Sequence, residues 1–417
     1  LGSCELLGLE GIMMHKALNI NRLLDVNIGE ACYFFALVIW IFFSVLSYTS
    51  MFAIAFQGMP IRVIRLFCLS LLLLCELVGG KHSFGSILFL FFVFSADLFL
   101  TEQLNSAVME GLLFIYCGRN YSFRKASLTS FVAIALALIV VVGASSLGII
   151  RDYIDISAMR TRHYLGFLYS LHPSMYIFTL TCLWIYIRGD DLQVVEFVIL
   201  TALNYLVYKA TVSRLSFALA MLIIFVALSV RLTKGRFILN GPVGLLCVSS
   251  FIIAAVFSVV VTKLYTPADP LFAKLNSSSL LSGRLSLGQN ALDTYGITAF
   301  GQSIEFIGNG LRADGSLTVG RYNYIDCLYI LILVRYGWVY LLGFLVLMTS
   351  AALHAWQTRN PYLLVILAVT ALHCVIDDLM FYLYFNPFLL LAGIALCTRG
   401  LGFKTEAKQS FEVAESL

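Results

Sequence analysis

The chain has 417 residues, 60% of them hydrophobic and 12% charged, with 27 Lys and Arg against 23 Asp and Glu for a net charge of +4. An ordinary soluble domain is about a quarter charged, so half that share at a mean hydropathy of +0.93 excludes a soluble globular protein and points to a polytopic membrane protein. The small net charge gives no reason to expect nucleic acid as a partner, and ten cysteines scattered without a C-x-x-C pair exclude a disulfide or zinc framework.

Residues 1–28 read as a cytoplasmic N-terminal segment. The first dozen, L-G-S-C-E-L-L-G-L-E-G-I, start without methionine and carry no basic region followed by a cleavage site, so a signal peptide is not expected there, and Met13 or Met14 is the expected translation start. Twelve apolar runs of membrane-crossing length follow, at 29–49, 63–79, 83–100, 104–118, 126–149, 165–187, 191–208, 213–230, 241–263, 325–349, 361–379 and 381–398. Lipid offers no hydrogen bonds to exposed backbone, so the expected fold class is an all-α transmembrane helical bundle. Nine spans occupy 29–263, a large external loop 264–324, three spans 325–398 and a cytoplasmic tail 399–417. Short connections carry Arg119, Arg124 and Lys125, then Arg188, then Arg231, Lys234 and Arg236, and the tail carries Arg399, Lys404 and Lys408. With twelve spans all of these share one side, which the positive-inside tendency makes cytoplasmic.

The alternation places Arg151–Tyr164 and the long loop outside, where orientation gives no reason for arginine. The stretch R-T-R-H-Y-L-G-F-L-Y-S-L-H-P (160–173) holds Arg160 and Arg162 beside His163 and His172. Two residues apart, the arginines share a face only on extended backbone. There they form a fork that fits a phosphate, although arginines beside a span also snorkel to headgroups. Arg214 opens the eighth span from the same side. In the loop, S-G-R-L-S-L-G-Q-N-A-L-D-T-Y-G (282–296) has helical spacing at Leu281, Leu285, Leu292 and Tyr295, which predicts an amphipathic helix with Arg284 near its start. A glycine-rich segment follows, suited to close backbone approach or to surface turns.

The chain re-enters lipid at N-Y-I-D-C-L-Y-I-L-I-L-V-R-Y-G, with Asp326 at the outer end of the span and Arg335 deeper. A charge at depth costs several kcal/mol unless paired or wetted, so Arg335 reads as a functional group or half of an ion pair. Asp377 and Asp378 occupy the outer turn between the last two spans, where a base, an arginine partner or simple solvated residues all fit. Arg151, Arg312 and Arg321 add to the outer charge, while Asp97, Glu110 and Asn204 are intramembrane polar groups with no assigned role. The outer tyrosines Tyr153, Tyr164, Tyr169, Tyr295, Tyr322 and Tyr324 suit sugar stacking, but an interfacial aromatic belt is their commoner use. Such an arginine cluster suits an anionic lipid headgroup, phosphate or pyrophosphate. There is no D-x-D, G-x-S-x-G, H-E-x-x-H or P-loop to support nucleotide-sugar, hydrolase, zinc-protease or ATPase chemistry.

The stretches R-T-R-H-Y-L-G-F-x-x-x-L-H-P, S-G-R-L-S-L-G-Q-N-A-L-D-x-Y-G-x-x-x-F-G-Q and N-Y-I-D-C-L-Y-x-L-x-L-x-x-Y-G, in this order over roughly residues 85 to 400, resemble the Wzy-type polysaccharide polymerases, relatives of the O-antigen ligases. The resemblance implies a multi-pass glycosyltransferase of the bacterial plasma membrane, independent of metal and cofactor, with its active site on the outer face. Its donor and acceptor would be undecaprenyl-pyrophosphate-linked glycans, its product an O-antigen, capsular or exopolysaccharide chain, and a chain-length regulator a further partner. Arg160, Arg162 and Arg284 match the pyrophosphate-binding positions; Arg214 and Arg335 join them as candidates from placement alone. His172, Asp326, Asp377 and Asp378 are the candidates for the base. The rivals are an O-antigen ligase, a lipid-linked-oligosaccharide flippase or secondary transporter, and a structural scaffold. A transporter calls for internal repeats that the two halves lack, and a scaffold leaves the outer arginines without a purpose.

Overall fold

The computed structural model describes residues 28–50, 59–79, 87–88, 106–157, 160–278, 281–312, 315–316, 318–320 and 322–396. The expected start at Met13 or Met14, most of the predicted span 83–100 with Asp97, the tail cations and Arg321 lie outside the described residues. Helices α1 (Ile28–Leu46), α2 (Met59–Gly79), α3 (Ser106–Gly118) and α4 (Phe123–Ser146) precede a hairpin of β1 (Ile154–Ser157) and β2 (Arg160–His163). Next come α5 (His172–Arg188), α6 (Val194–Thr211), α7 (Arg214–Thr233), α8 (Pro242–Val248) and α9 (Ser250–Leu264). The loop carries α10 (Pro270–Ser277) and α11 (Arg284–Tyr295). After it, α12 (Leu328–Leu331) runs into a π-helical turn, Ile332–Tyr336, followed by α13 (Trp338–Gln357), α14 (Pro361–His373) and a 3-10 run, Pro387–Leu396.

The chain is mostly helical, and among the described residues five helices are long and apolar enough to cross a membrane: α1, α4, α6, α7 and α13. They become six if α8 and α9, bent by 64°, form one broken span. The expectation of twelve full spans is therefore corrected. The 13 residues of α3 and of α14 reach about 20 Å, short of a hydrocarbon core of about 30 Å. Helix α2 carries Arg62, Arg65 and Glu76, and α5 begins only at His172 because the stretch before it is spent on turns. The predicted span 325–349 is broken at Gly337. The all-α expectation is also corrected locally by the hairpin, whose antiparallel register pairs Asp155 with Arg162 and Ser157 with Arg160.

Small residues let the helices approach. Ala126, Ser130, Ala133, Ala137, Val141 and Ala144 form the buried face of α4, the kind of face that lets helix backbones pack closely in lipid. Leu128, Val132, Leu136 and Ile139 form its exposed, lipid-suited face. Pro361 opens α14, with the Asn360 side chain accepting from the Leu363 N–H at 3.0 Å. Gln193 and Glu196 form a reciprocal cap on α6.

The helix ends sort into two groups. Lys125 pairs with Glu30 at 2.6 Å, Arg188 with Glu196 at 3.0 Å, and Trp356 donates to the Leu239 carbonyl at 3.1 Å, which gathers one set of turns. At the opposite end the hairpin, the long loop and the turn after α14 meet. Gly301 and Gly337 both have φ of +92°, and a Cβ on either would collide with the backbone of the other segment. Gln302 N–H donates to Arg335 O and Trp338 N–H to Thr298 O, each at 3.0 Å, so the loop closes over the break before α13. Arg335 thus lies against loop residues, just before the helix α13.

Candidate functional site

The site is assembled by three segments far apart in sequence. The first is the hairpin. Asp152 fastens its end, accepting from the backbone N–H of Tyr164 at 3.0 Å and of Leu165 at 2.7 Å and meeting His163 Nδ1 at 2.7 Å. Directly paired residues share a face, so Arg160, Arg162 and Asp155 lie together. Arg160 is exposed and Arg162 half-buried. The Arg162 Nε is buried without a hydrogen-bond partner among the described residues. Loss of water, then the neighbouring Arg160 charge, lowers the Arg162 pKa, with Tyr169 and the cross-strand Asp155 opposing the fall.

The second segment is the start of α11. Gly283, at φ +88°, makes the turn that a side chain would strain, and places Arg284 as the first helical residue. Its Nε donates to the Ile376 carbonyl at 2.7 Å and lies 3.5 Å from Asp326 Oδ2, while Nη1 donates to Leu281 O at 3.2 Å. One guanidinium thereby holds loop, re-entry segment and terminal turn together.

The third segment pairs 322–326 with the turn after α14. The Tyr322 hydroxyl donates to Asp326 at 3.2 Å and that of Tyr324 to Asp378 Oδ2 at 2.6 Å. Asp377 Oδ1 accepts from Leu379 N–H at 2.9 Å, and its Oδ2 is 3.9 Å from His373 Nε2. Burial raises the pKa of Asp326, Asp377 and Asp378; Arg284 opposes the rise at Asp326 and Asp377. Burial, then the charges of Asp326 and Asp377, raises the pKa of the Tyr169 hydroxyl, while Arg284 and Arg162 oppose the rise. Two guanidinium groups beside buried carboxyls can hold an anion and exchange a proton with a bound hydroxyl.

Of the expected residues, the structure brings together Arg162, Arg284, Asp326, Asp377 and Asp378, with Arg160 on the rim. His172 is buried below Tyr169, its ring 5.6 Å from that of Tyr169 and 5.0 Å from that of Tyr48. Its Nδ1 has no hydrogen-bond partner among the described residues, and it makes no described contact with the carboxyls. Arg335 sits 5.4 Å from the Phe306 ring, which packs at 5.5 Å on Tyr324, so it adjoins the cluster through rings. Arg214 is exposed at the start of α7, and no described bond or ring contact ties it to the cluster. Arg151 and Arg312 are likewise outside it. Sequence reasoning missed His373 and treated Tyr169, Tyr322 and Tyr324 as belt residues. The spacing of Tyr322 from Asp326 and of His373 from Asp377, four residues each, was the available signal. Among the described residues no group of three or more His, Cys, Asp and Glu is arranged to hold a metal ion.

No family model, no curated protein and no solved structure matches the chain.

Proposed function

We propose that this chain is a membrane-embedded glycosyltransferase, a polymerase that joins pyrophosphate-lipid-linked oligosaccharide units at the outer leaflet of a bacterial plasma membrane. The observation that best supports the reading is the Arg284 guanidinium, bonded to the Ile376 carbonyl and 3.5 Å from Asp326 Oδ2, next to the turn that buries Asp377 and Asp378, with Arg162, its Nε buried and unpartnered among the described residues, on the hairpin at the same end. An apolar tail remains in lipid while its diphosphate lies against Arg162 and Arg284, with Arg160 reaching in from the rim. The acceptor hydroxyl attacks the anomeric carbon of the donor sugar. The new C–O bond forms as the bond to pyrophosphate breaks, the electron pair leaves on the phosphate oxygen, and the hydroxyl proton passes to a buried carboxylate. Pyrophosphate is already a stable leaving group, so fixed positive charge where negative charge develops matters more than acid assistance. Asp377 is the preferred base: its Oδ2 is beside the buried His373, whereas the Tyr324 hydroxyl engages Asp378 and Arg284 engages Asp326.

An O-antigen ligase, which passes a finished glycan to another acceptor, would use the same groups. Purified protein in liposomes supplied with lipid-linked repeat units separates the readings. A ladder of lengthening glycan is expected; transfer of a glycan once to a different lipid acceptor would favour the ligase, and translocation with no new glycosidic bond would overturn both.

A further inference from the structure

The hairpin has a second face, which the site does not use. Alternation along β1 puts Ile154 and Ile156 opposite to Asp155, and cross-strand pairing adds Thr161 and His163 to their side. Ile154 is 43% exposed and Ile156 77%, and the turn leading in adds Leu147 at 78% and Ile149 at 69%. Four large apolar side chains within ten positions, outside any span, make a patch of the kind that marks an interaction surface. The patch continues from the exposed Leu128–Val132–Leu136–Ile139 face of α4, which ends at this turn. Its edge carries the exposed Arg151.

We infer that the apolar face of the β1–β2 hairpin is seated in the headgroup–acyl boundary of the bilayer, so that one two-stranded element has lipid on one face and the anion-binding arginines on the other. Continuity with a lipid-suited helix face selects lipid over another protein, and an exposed arginine at the edge of an apolar patch suits phosphate headgroups. An anionic lipid then reaches Arg160 and Arg162 by lateral diffusion within its own leaflet, with no need to lift its tail into water. The Asp152 clamp fixes the orientation of the hairpin between these two environments.

The test needs no substrate, so its failure would leave the transferase reading standing, and failure of that reading would not decide it. Ile156→Trp protein is reconstituted in phosphatidylcholine vesicles with bromine on the acyl chain either near the glycerol or near the methyl end, and its emission is compared with that of the unsubstituted protein. The expected result is added emission that loses most of its intensity to the shallow bromines, less to the deep ones and little to aqueous iodide. Ile154→Trp repeats the measurement should the first variant fold poorly. Added emission quenched by iodide and by neither lipid would overturn the proposal. So would emission shielded from all three together with concentration-dependent dimerisation, which would assign the face to a second copy of the chain.

Discussion

Arg162 is the residue on which most depends. The half-buried Arg162 guanidinium has a like charge beside it and an Nε unpartnered among the described residues, and in the proposed reading a bound diphosphate supplies the missing acceptor. Replacing it with alanine should lower transfer by about 10²- to 10³-fold, the usual loss when one preorganised donor is removed, with thermal unfolding unchanged. Lysine keeps the charge but not the planar fork, so Arg162→Lys should fall between the two; wild-type turnover in the alanine variant would remove the residue from the site. Arg284 differs, because its Nε already carries the Ile376 carbonyl. Arg284→Ala should therefore lower both activity and melting temperature. Asp377 sets a pH dependence. A base works only when ionised, and burial raises the Asp377 pKa, so transfer should fall as acidity increases through a value above the ordinary Asp pKa of about 3.9. A pH–rate profile measures it, and a limb at or below the ordinary value would contradict the assignment. Tyr324→Phe leaves the buried Asp378 short of a donor and should destabilise the fold by about 1–3 kcal/mol, read by denaturation.

At the scale of elements, the hairpin and the broken re-entry before α13 are what place these side chains. Extended geometry for Arg160 and Arg162 was legible in their two-residue spacing, and the helix bearing Arg284 in the leucine periodicity. The break at Gly337 was not. Leu328–Val334 is a continuous apolar run, and hydropathy cannot tell a membrane span from a short helix buried in protein. What decides it is a long-range contact, loop 298–302 closing on Arg335–Val339, which no local pattern encodes. The same limit hid the partners of Asp326 and Asp378, since belt tyrosines and carboxylate-binding tyrosines have the same composition. Gly337→Ala should test the break directly: a side chain at φ +92° against the Ala299 backbone is strained. It should cost at least about 1 kcal/mol of stability and reduce transfer by displacing Arg335 and the loop, measured by thermal unfolding and turnover together. An unchanged melting temperature would mean that the loop does not pack there.

At the scale of the whole molecule, composition established a membrane protein, but twelve equal spans were too regular a reading. Short and kinked segments, α3, α14, the α8–α9 bend and the final 3-10 run, make up much of the rest of the described bundle. Convergence of the arginines and carboxyls at one end of the bundle is the central claim. Its most direct test is binding: purified protein titrated with undecaprenyl pyrophosphate and, separately, with undecaprenol of the same chain length. Selective binding of the diphosphate, lost in Arg162→Ala while undecaprenol binding stays weak and unchanged, is the predicted result. Equal affinity for the two lipids, or diphosphate binding indifferent to Arg162 and Arg284, would contradict it.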